Sequence, residues 1–296
     1  MKTKSIVALF GVVLITMACA LGTPAAQPKT DDVGTAVAKT MQALTAIPTQ
    51  SAPTEIVPTQ PSGTPFSFKN VSFVIPDGVA TGANAEVAPA ATEDQVGPWG
   101  VGPEHISIEL SGYSTTNENT AVKNMVLIYP AKEYAAAYQG AANSIQNLQT
   151  ILANPSMSIT AKTAPSVPSY NAGEVIVAQA KILNFQNGSG VRLITEYAQY
   201  YAPITRNGEI YQYAGLTNDG DYFIIAVLPI QTPLQSTHDN PSADGAAYPD
   251  VGNADETAFN AYYQAMTDKL NAADPNSFQP TIGQLDALIQ SITVTP

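Results

Sequence analysis

The sequence predicts an α+β fold: an antiparallel sheet whose central meander spans about residues 190–230, with helices packed on a face. Three observations predict it. Between Gly190 and Ile230 side chains alternate with period two in runs rich in β-branched and aromatic residues. Asn207-Gly208 and Asn218-Asp219-Gly220 interrupt those runs with residues that tolerate the positive φ of tight turns. Towards the C-terminus, apolar residues recur three and four apart behind N-capping residues, the signature of amphipathic helices.

Within the meander, Val191, Leu193, Thr195 and Tyr197 alternate with Arg192, Ile194, Glu196 and Ala198. Arg192 and Glu196 therefore share a strand face, and an ion pair between them is expected. The second run sets Ile210, Gln212, Ala214 and Leu216 against Tyr211 and Tyr213. The third, Tyr222–Leu228, is apolar on both faces and is expected to be the central, most covered strand. Two short turns should join the three strands, and Pro229 and Pro233 should end the ladder, because neither donates an amide proton.

The N-terminus carries an address. Lys2 and Lys4 precede an apolar run from Ile6 to Ile15 and then small residues around Cys19, the layout of a signal peptide. The apolar run is too short for a spanning helix, which takes about 20 residues. Cys19 is the chain's one cysteine, and Ile15-Thr16-Met17-Ala18-Cys19 is similar to a lipobox, departing from that pattern at Thr16. The expected outcome is a lipid-modified (palmitate-bearing) Cys19 on the outer side of a bacterial cell membrane. The alternative is cleavage after Ala18-Cys19-Ala20, releasing a protein without cysteine. Neither outcome permits a disulfide in the exported chain, so its core must hold without one.

Ala, Thr, Pro, Gln and Ser dominate from Leu21 to Thr64, and five prolines between Pro48 and Pro65 break regular elements. Such a segment buries too little apolar surface to offset its ordering entropy and is expected to be a flexible tether. Val33, Val37, Met41 and Leu44 form one helically spaced island, read as transient helix. The predicted organisation is a lipoprotein signal peptide over 1–18, a lipid-anchored linker over 19–65 and one α+β body over 66–296.

In the body, Phe66–Ile75 reads as one alternating strand closed by a turn at Pro76-Asp77-Gly78, and the stretch to Gly102 reads as irregular. His105–Leu110 and Asn124–Tyr129 are the next strands. Pro130 opens a helix with Tyr134, Tyr138, Ala141, Ile145, Leu148 and Leu152 as one continuous stripe, stopped by Asn154-Pro155. Gly173–Phe185 is a strand turned by Asn187-Gly188 into the meander. A polar loop then leads to a helix from about Glu256 to Ala272, with Asn253 and Glu256 spaced as a capping box. Thr281 and Gln284 are spaced to cap the last helix, whose face is Leu285, Leu288, Ile289 and Ile292.

The run Gln186-Asn187-Gly188-Ser189-Gly190-Val191-Arg192 through Tyr197-Ala198-Gln199, then Gly215-Leu216-Thr217-Asn218-Asp219-Gly220 and Tyr222, resembles an uncharacterised family of bacterial extracytoplasmic lipoproteins. Val101-Gly102-Pro103-Glu104-His105 and Leu285-Asp286-Ala287-Leu288 support the resemblance. It implies a fold and an envelope address, and it carries no activity.

Chemistry is harder to find. His105, Ser107 and Glu109 share a strand face, which raises an exported hydrolase using His105 and Ser107, but no turn or oxyanion donors accompany them. Asn240, Ser242, Asp244 and Gly245 match the first half of a calcium loop, with Val251 where a bidentate glutamate belongs. No other metal motif and no cofactor fingerprint occurs. The formal net charge of −12 opposes nucleic acid as a partner. Aromatic rings remain: Tyr197, Tyr201, Tyr211, Tyr213, Tyr222 and Trp99 are the candidate contacts for a protein, peptide or glycan. Trp99 reads as a plug over a core edge, and the tyrosines equally suit sheet packing. The leading expectation is a non-enzymatic binding or interaction module of the cell envelope; a purely structural envelope component is the remaining alternative.

Overall fold

The computed structural model describes residues 62–97 and 99–296. The leader, Cys19, the island at Val33–Leu44 and nearly all of the tether lie outside the described residues. Among the described residues no helix is long and apolar enough to cross a membrane.

The strands are β1 Gly63–Phe68, β2 Val71–Pro76, β3 Gly82–Ala88, β4 His105–Ser111, β5 Met125–Pro130, β6 Gly173–Glu174, β7 Ala178–Phe185, β8 Gly188–Thr195, β9 Tyr197–Ala198, β10 Ile210–Thr217, β11 Tyr222–Pro229 and β12 Thr293–Val294. Helices are α1 Glu93–Val96, α2 Ala131–Ala137, α3 Gln139–Ala153, α4 Glu256–Ala272 and α5 Ile282–Gln290. Seven strands form one antiparallel sheet in the order β3-β4-β5-β11-β10-β8-β7. β11 is the middle strand, as its unbroken apolar sequence requires. Its turn from β10 is built by Asp219, which accepts from Thr217 Oγ1 at 2.5 Å and from the Asp221 amide at 3.0 Å, with Gly220 at φ +73°.

Strands apolar on both sides need cover on both sides. On one face Tyr211, Tyr213, Ile224, Ala226 and Leu228 pack with Phe259, Met266 and Leu270 of α4, Leu285 and Ile289 of α5, and Phe73 of β2. On the other, Val191, Leu193, Ala214, Phe223 and Ile225 pack with Tyr134 of α2 and Ala141, Leu148 and Ile151 of α3. The Thr281–Gln284 capping box is present at the start of α5.

Several local expectations change. Phe66–Ile75 is a hairpin, not one strand, because Lys69 takes φ +50° between β1 and β2. Gly82–Ala88, expected to be irregular, is the edge strand β3. The helix after Pro130 breaks at Tyr138, which is extended at φ −142°; a Cβ on Gly140 would fall 2.5 Å from the Tyr138 ring, so this glycine makes room for it. The Gly173–Phe185 stretch divides into β6 and β7, with Gln179 at φ +53° in a bulge. There Gln179 Nε2 donates to the Leu270 and Ala273 carbonyls at the end of α4. The cap of α4 is Asp255, accepting from the Ala258 amide at 3.0 Å, in place of Asn253. Arg192 pairs with Asp286 of α5 rather than with Glu196, because β8 ends at Thr195 and Glu196 leaves the strand face.

The largest change positions the site. β8 and β10 are joined not by a short turn at Asn207-Gly208 but by the whole segment from Glu196 to Glu209. Within it β9 pairs with β6 as a separate two-stranded ribbon.

Candidate functional site

That long connection forms one wall of a cavity of about 620 Å³, within the size range of small-molecule sites. The segment Glu196–Tyr200 and Gly208 face Asn117–Val122 from the loop after β4 and Ser169–Ala172 from the loop before β6. Trp99 and His238 complete the rim.

Side chains tie these loops together. Asn117 Nδ2 donates to the Gly208 carbonyl at 2.8 Å and the Glu209 carbonyl at 3.1 Å, while its Oδ1 accepts from the Asn119 amide at 2.8 Å. The Glu118 amide donates to the Asn207 carbonyl at 3.0 Å. Glu118 is thereby fixed opposite Glu196. Gln199 donates to the Asn171 carbonyl, joining the other two walls. Tyr197 anchors β9: its hydroxyl accepts from the Val167 amide at 2.8 Å and stands 2.8 Å from both Glu174 Oε1 and Gln212 Oε1. The Tyr170 ring meets the Tyr197 ring edge-on at 4.9 Å.

The floor is acidic. Glu118 Oε1 accepts from Thr205 Oγ1 and lies 3.4 Å from His238 Nε2. Glu196 Oε2 and both carboxylate oxygens of Glu209 are covered and have no hydrogen-bond partner among the described residues. Burial, reinforced by the Glu118 charge, pushes the Glu196 carboxyl up to about 8. Burial first, then the charges of Glu196 and Glu118, holds the Glu209 carboxyl well above the usual carboxylate range. Burial also raises Glu174, against hydrogen bonds from Tyr197 and Gln212 that lower it. Among the described residues no lysine or arginine lines the cavity.

No protein-family model, curated protein or solved structure matches this chain. The site must be read from its own chemistry.

Of the residues singled out in the sequence, Trp99 and Tyr197 line this cavity, and Trp99 is 41% exposed rather than a buried plug. Tyr211 and Tyr213 are fully buried, their hydroxyls donating to Asp286 Oδ1 at 2.9 Å and to the Leu183 carbonyl at 3.0 Å; they are core residues and cannot touch a ligand. Tyr222 packs against the core, and Tyr201 stacks on Phe259 at 3.9 Å, outside the cavity lining. The calcium reading fails on Asp244. Its Oδ2 is taken by the amides of Gln235 and Ser236 and by Ser236 Oγ, and its Oδ1 by Lys269, so the carboxylate braces a loop. Among the described residues no group of three acidic, histidine or cysteine side chains is placed to hold a metal ion.

His105 and Ser107 lie outside the cavity lining. The His105 ring stacks on Tyr129 at 4.2 Å, its Nδ1 is 3.0 Å from the Pro103 carbonyl, and desolvation lowers its pKa. No hydrogen bond joins it to Ser107 among the described residues. The residues missed by sequence reading are Glu118, Glu196, His238 and Tyr170. The one available signal was Glu209, an acid set directly against an apolar strand.

Proposed function

We propose that this chain is an extracytoplasmic lipoprotein, tethered to a bacterial membrane through Cys19, whose body is a non-enzymatic module that binds a small ligand in the cavity between the loops. The observation that carries the binding reading is the cavity itself: a ligand-sized concavity with aromatic rings on its walls and carboxylates converging on its floor. Tyr200 stands 69% exposed at its edge, an apolar ring with a polar tip of the kind that contacts ligands. The signal layout, the lipobox-like run and the resemblance to envelope lipoproteins support the address.

Two measurements test the two halves. Intact mass of the membrane fraction should show an acylated chain beginning at Cys19, and Cys19→Ser should release the protein; an unmodified chain starting beyond Ala20 contradicts the anchor. A thermal-shift panel of envelope glycans, peptides and small metabolites should give at least one stabilising ligand whose effect is lost in Tyr200→Ala. Stabilisation that Tyr200→Ala leaves untouched would place the ligand elsewhere.

A further inference from the structure

We propose that the ligand is a cation, a primary amine whose ammonium group is held between Glu118 and Glu196 beside Gly208. This rests on the reading of the cavity as a binding site and names the chemistry it takes.

The argument begins with Gly208. A Cβ there would stand 3.0 Å from Thr205 Oγ1, 3.1 Å from Glu118 Oε1 and 3.1 Å from Glu196 Oε2. Three oxygens thus crowd the side of this residue where any other amino acid carries a side chain, and glycine is what lets Glu118 and Glu196 approach one another this closely. Before a ligand enters, burial keeps Glu196 protonated; an entering ammonium brings opposite charge and donors, so that Glu196 gives up its proton as the ligand binds and both carboxylates then accept from it. Until then Glu196 Oε2 is covered and has no partner among the described residues, a state that costs free energy. An ammonium group brings three N–H donors and no acceptor. A hydroxyl brings only one.

Charge points the same way. Two carboxylates line the cavity, and Glu209 lies beneath them without a partner. Among the described residues the only basic side chain at the rim is His238, itself largely exposed, and the whole chain carries a net charge of −12. Such a field draws cations in and repels anions. Trp99, Tyr170, Tyr197 and Tyr200 supply the aromatic faces over which an organic cation is favoured. The Glu118 carboxylate is about a third exposed, so an incoming ammonium meets it first, displaces His238 as its partner and then reaches Glu196.

Calorimetry on the full chain in detergent tests this with three probes: 1,5-diaminopentane, the neutral isostere 1,5-pentanediol, and calcium chloride. The diamine should bind at one site per chain and the diol should not. Glu118→Gln should weaken diamine binding about tenfold or more, the effect of losing a charge-assisted hydrogen bond. Gly208→Ala should weaken it as well, because a methyl there pushes the Glu118 and Glu196 oxygens out of place. Diol binding as tight as diamine binding, or an affinity unchanged in Glu118→Gln, would overturn the proposal. So would calcium binding without amine binding. If amines fail while a neutral glycan binds with loss in Tyr200→Ala, the amine is wrong and the cavity reading survives; if nothing binds, both fall.

Discussion

Arg192 on β8 holds Asp286 on α5 through two parallel hydrogen bonds, Nε to Oδ1 at 3.1 Å and Nη2 to Oδ2 at 3.2 Å. Both side chains are nearly buried, and the remaining capacity is used: Arg192 Nη1 donates to the Gln179 carbonyl and Tyr211 donates to Asp286 Oδ1. The pair locks the last helix onto the sheet. Removing one member leaves an uncompensated buried charge, so Asp286→Ala should lower unfolding free energy by about 3–5 kcal/mol in urea titration. The double change Arg192→Met with Asp286→Leu should cost clearly less, because no charge is then stranded.

The buried acids set the pH dependence of stability. Unfolded, Glu196 and Glu209 ionise near their ordinary 4.5; folded, burial lets Glu196 hold its proton to about 8 and holds Glu209 well above the usual carboxylate range. Glu118, itself 3.4 Å from His238, acts on Glu196 at the cavity, and Tyr248, Tyr262 and Tyr263 are the other titratable groups that interact with it. Between these limits the folded state binds more protons than the unfolded state. Stability is therefore full below about pH 4.5 and is lost as pH rises through about 8. Glu209→Gln removes one such group and should raise stability by about 1–3 kcal/mol above neutral pH, with little gain at pH 4. Urea titrations at pH 4, 7 and 9 would show it; an equal change at all three would contradict the assignment.

Gly190 and Gly215 face one another across β8 and β10 and accommodate the Tyr213 ring. A Cβ at Gly190 would fall 2.3 Å from the Ala214 carbonyl oxygen and 2.4 Å from the Tyr213 hydroxyl; one at Gly215 would fall 2.6 Å from the same ring. Gly190→Ala should cost about 1–3 kcal/mol by overpacking, measured as a drop in the urea midpoint with little change in m-value.

Asn117 positions Glu118 without lining the floor with charge. Asn117→Ala removes its bonds to Gly208, Glu209 and Asn119; the part-buried Gly208 carbonyl loses this donor, while the Glu209 carbonyl keeps the Ile230 amide at 3.3 Å. Amine affinity should fall several-fold in calorimetry while overall stability drops by about 1–3 kcal/mol. Unchanged affinity would show that Glu118 needs no such clamp.

What the sequence made legible follows the range over which its signals act. β11 is central because its apolar run needs no distant information. The helix Glu256–Ala272 and the Thr281 cap were likewise readable from spacing a few residues long. Asn207-Gly208 misled because the same dipeptide that closes hairpins also ends a long loop; nothing local distinguished them. The site lies where that reading failed. Glu118 comes from the loop after β4, and Glu196 and Glu209 from opposite ends of the β8–β10 connection; only the pairing of β8 with β10, together with the Asn117 clamp, brings the three together. Lys69 and Gln179 at positive φ were equally hidden, since neither residue type announces a turn.

Trp99 is the chain's sole tryptophan and stands on the rim of the cavity, so its fluorescence reports occupancy directly. Titrating the full chain with 1,5-diaminopentane should give a saturable change in Trp99 emission that 1,5-pentanediol does not reproduce and that Glu118→Gln shifts to about tenfold higher concentration or beyond. Emission unmoved by the diamine, or moved alike in parent and Glu118→Gln, would contradict the account.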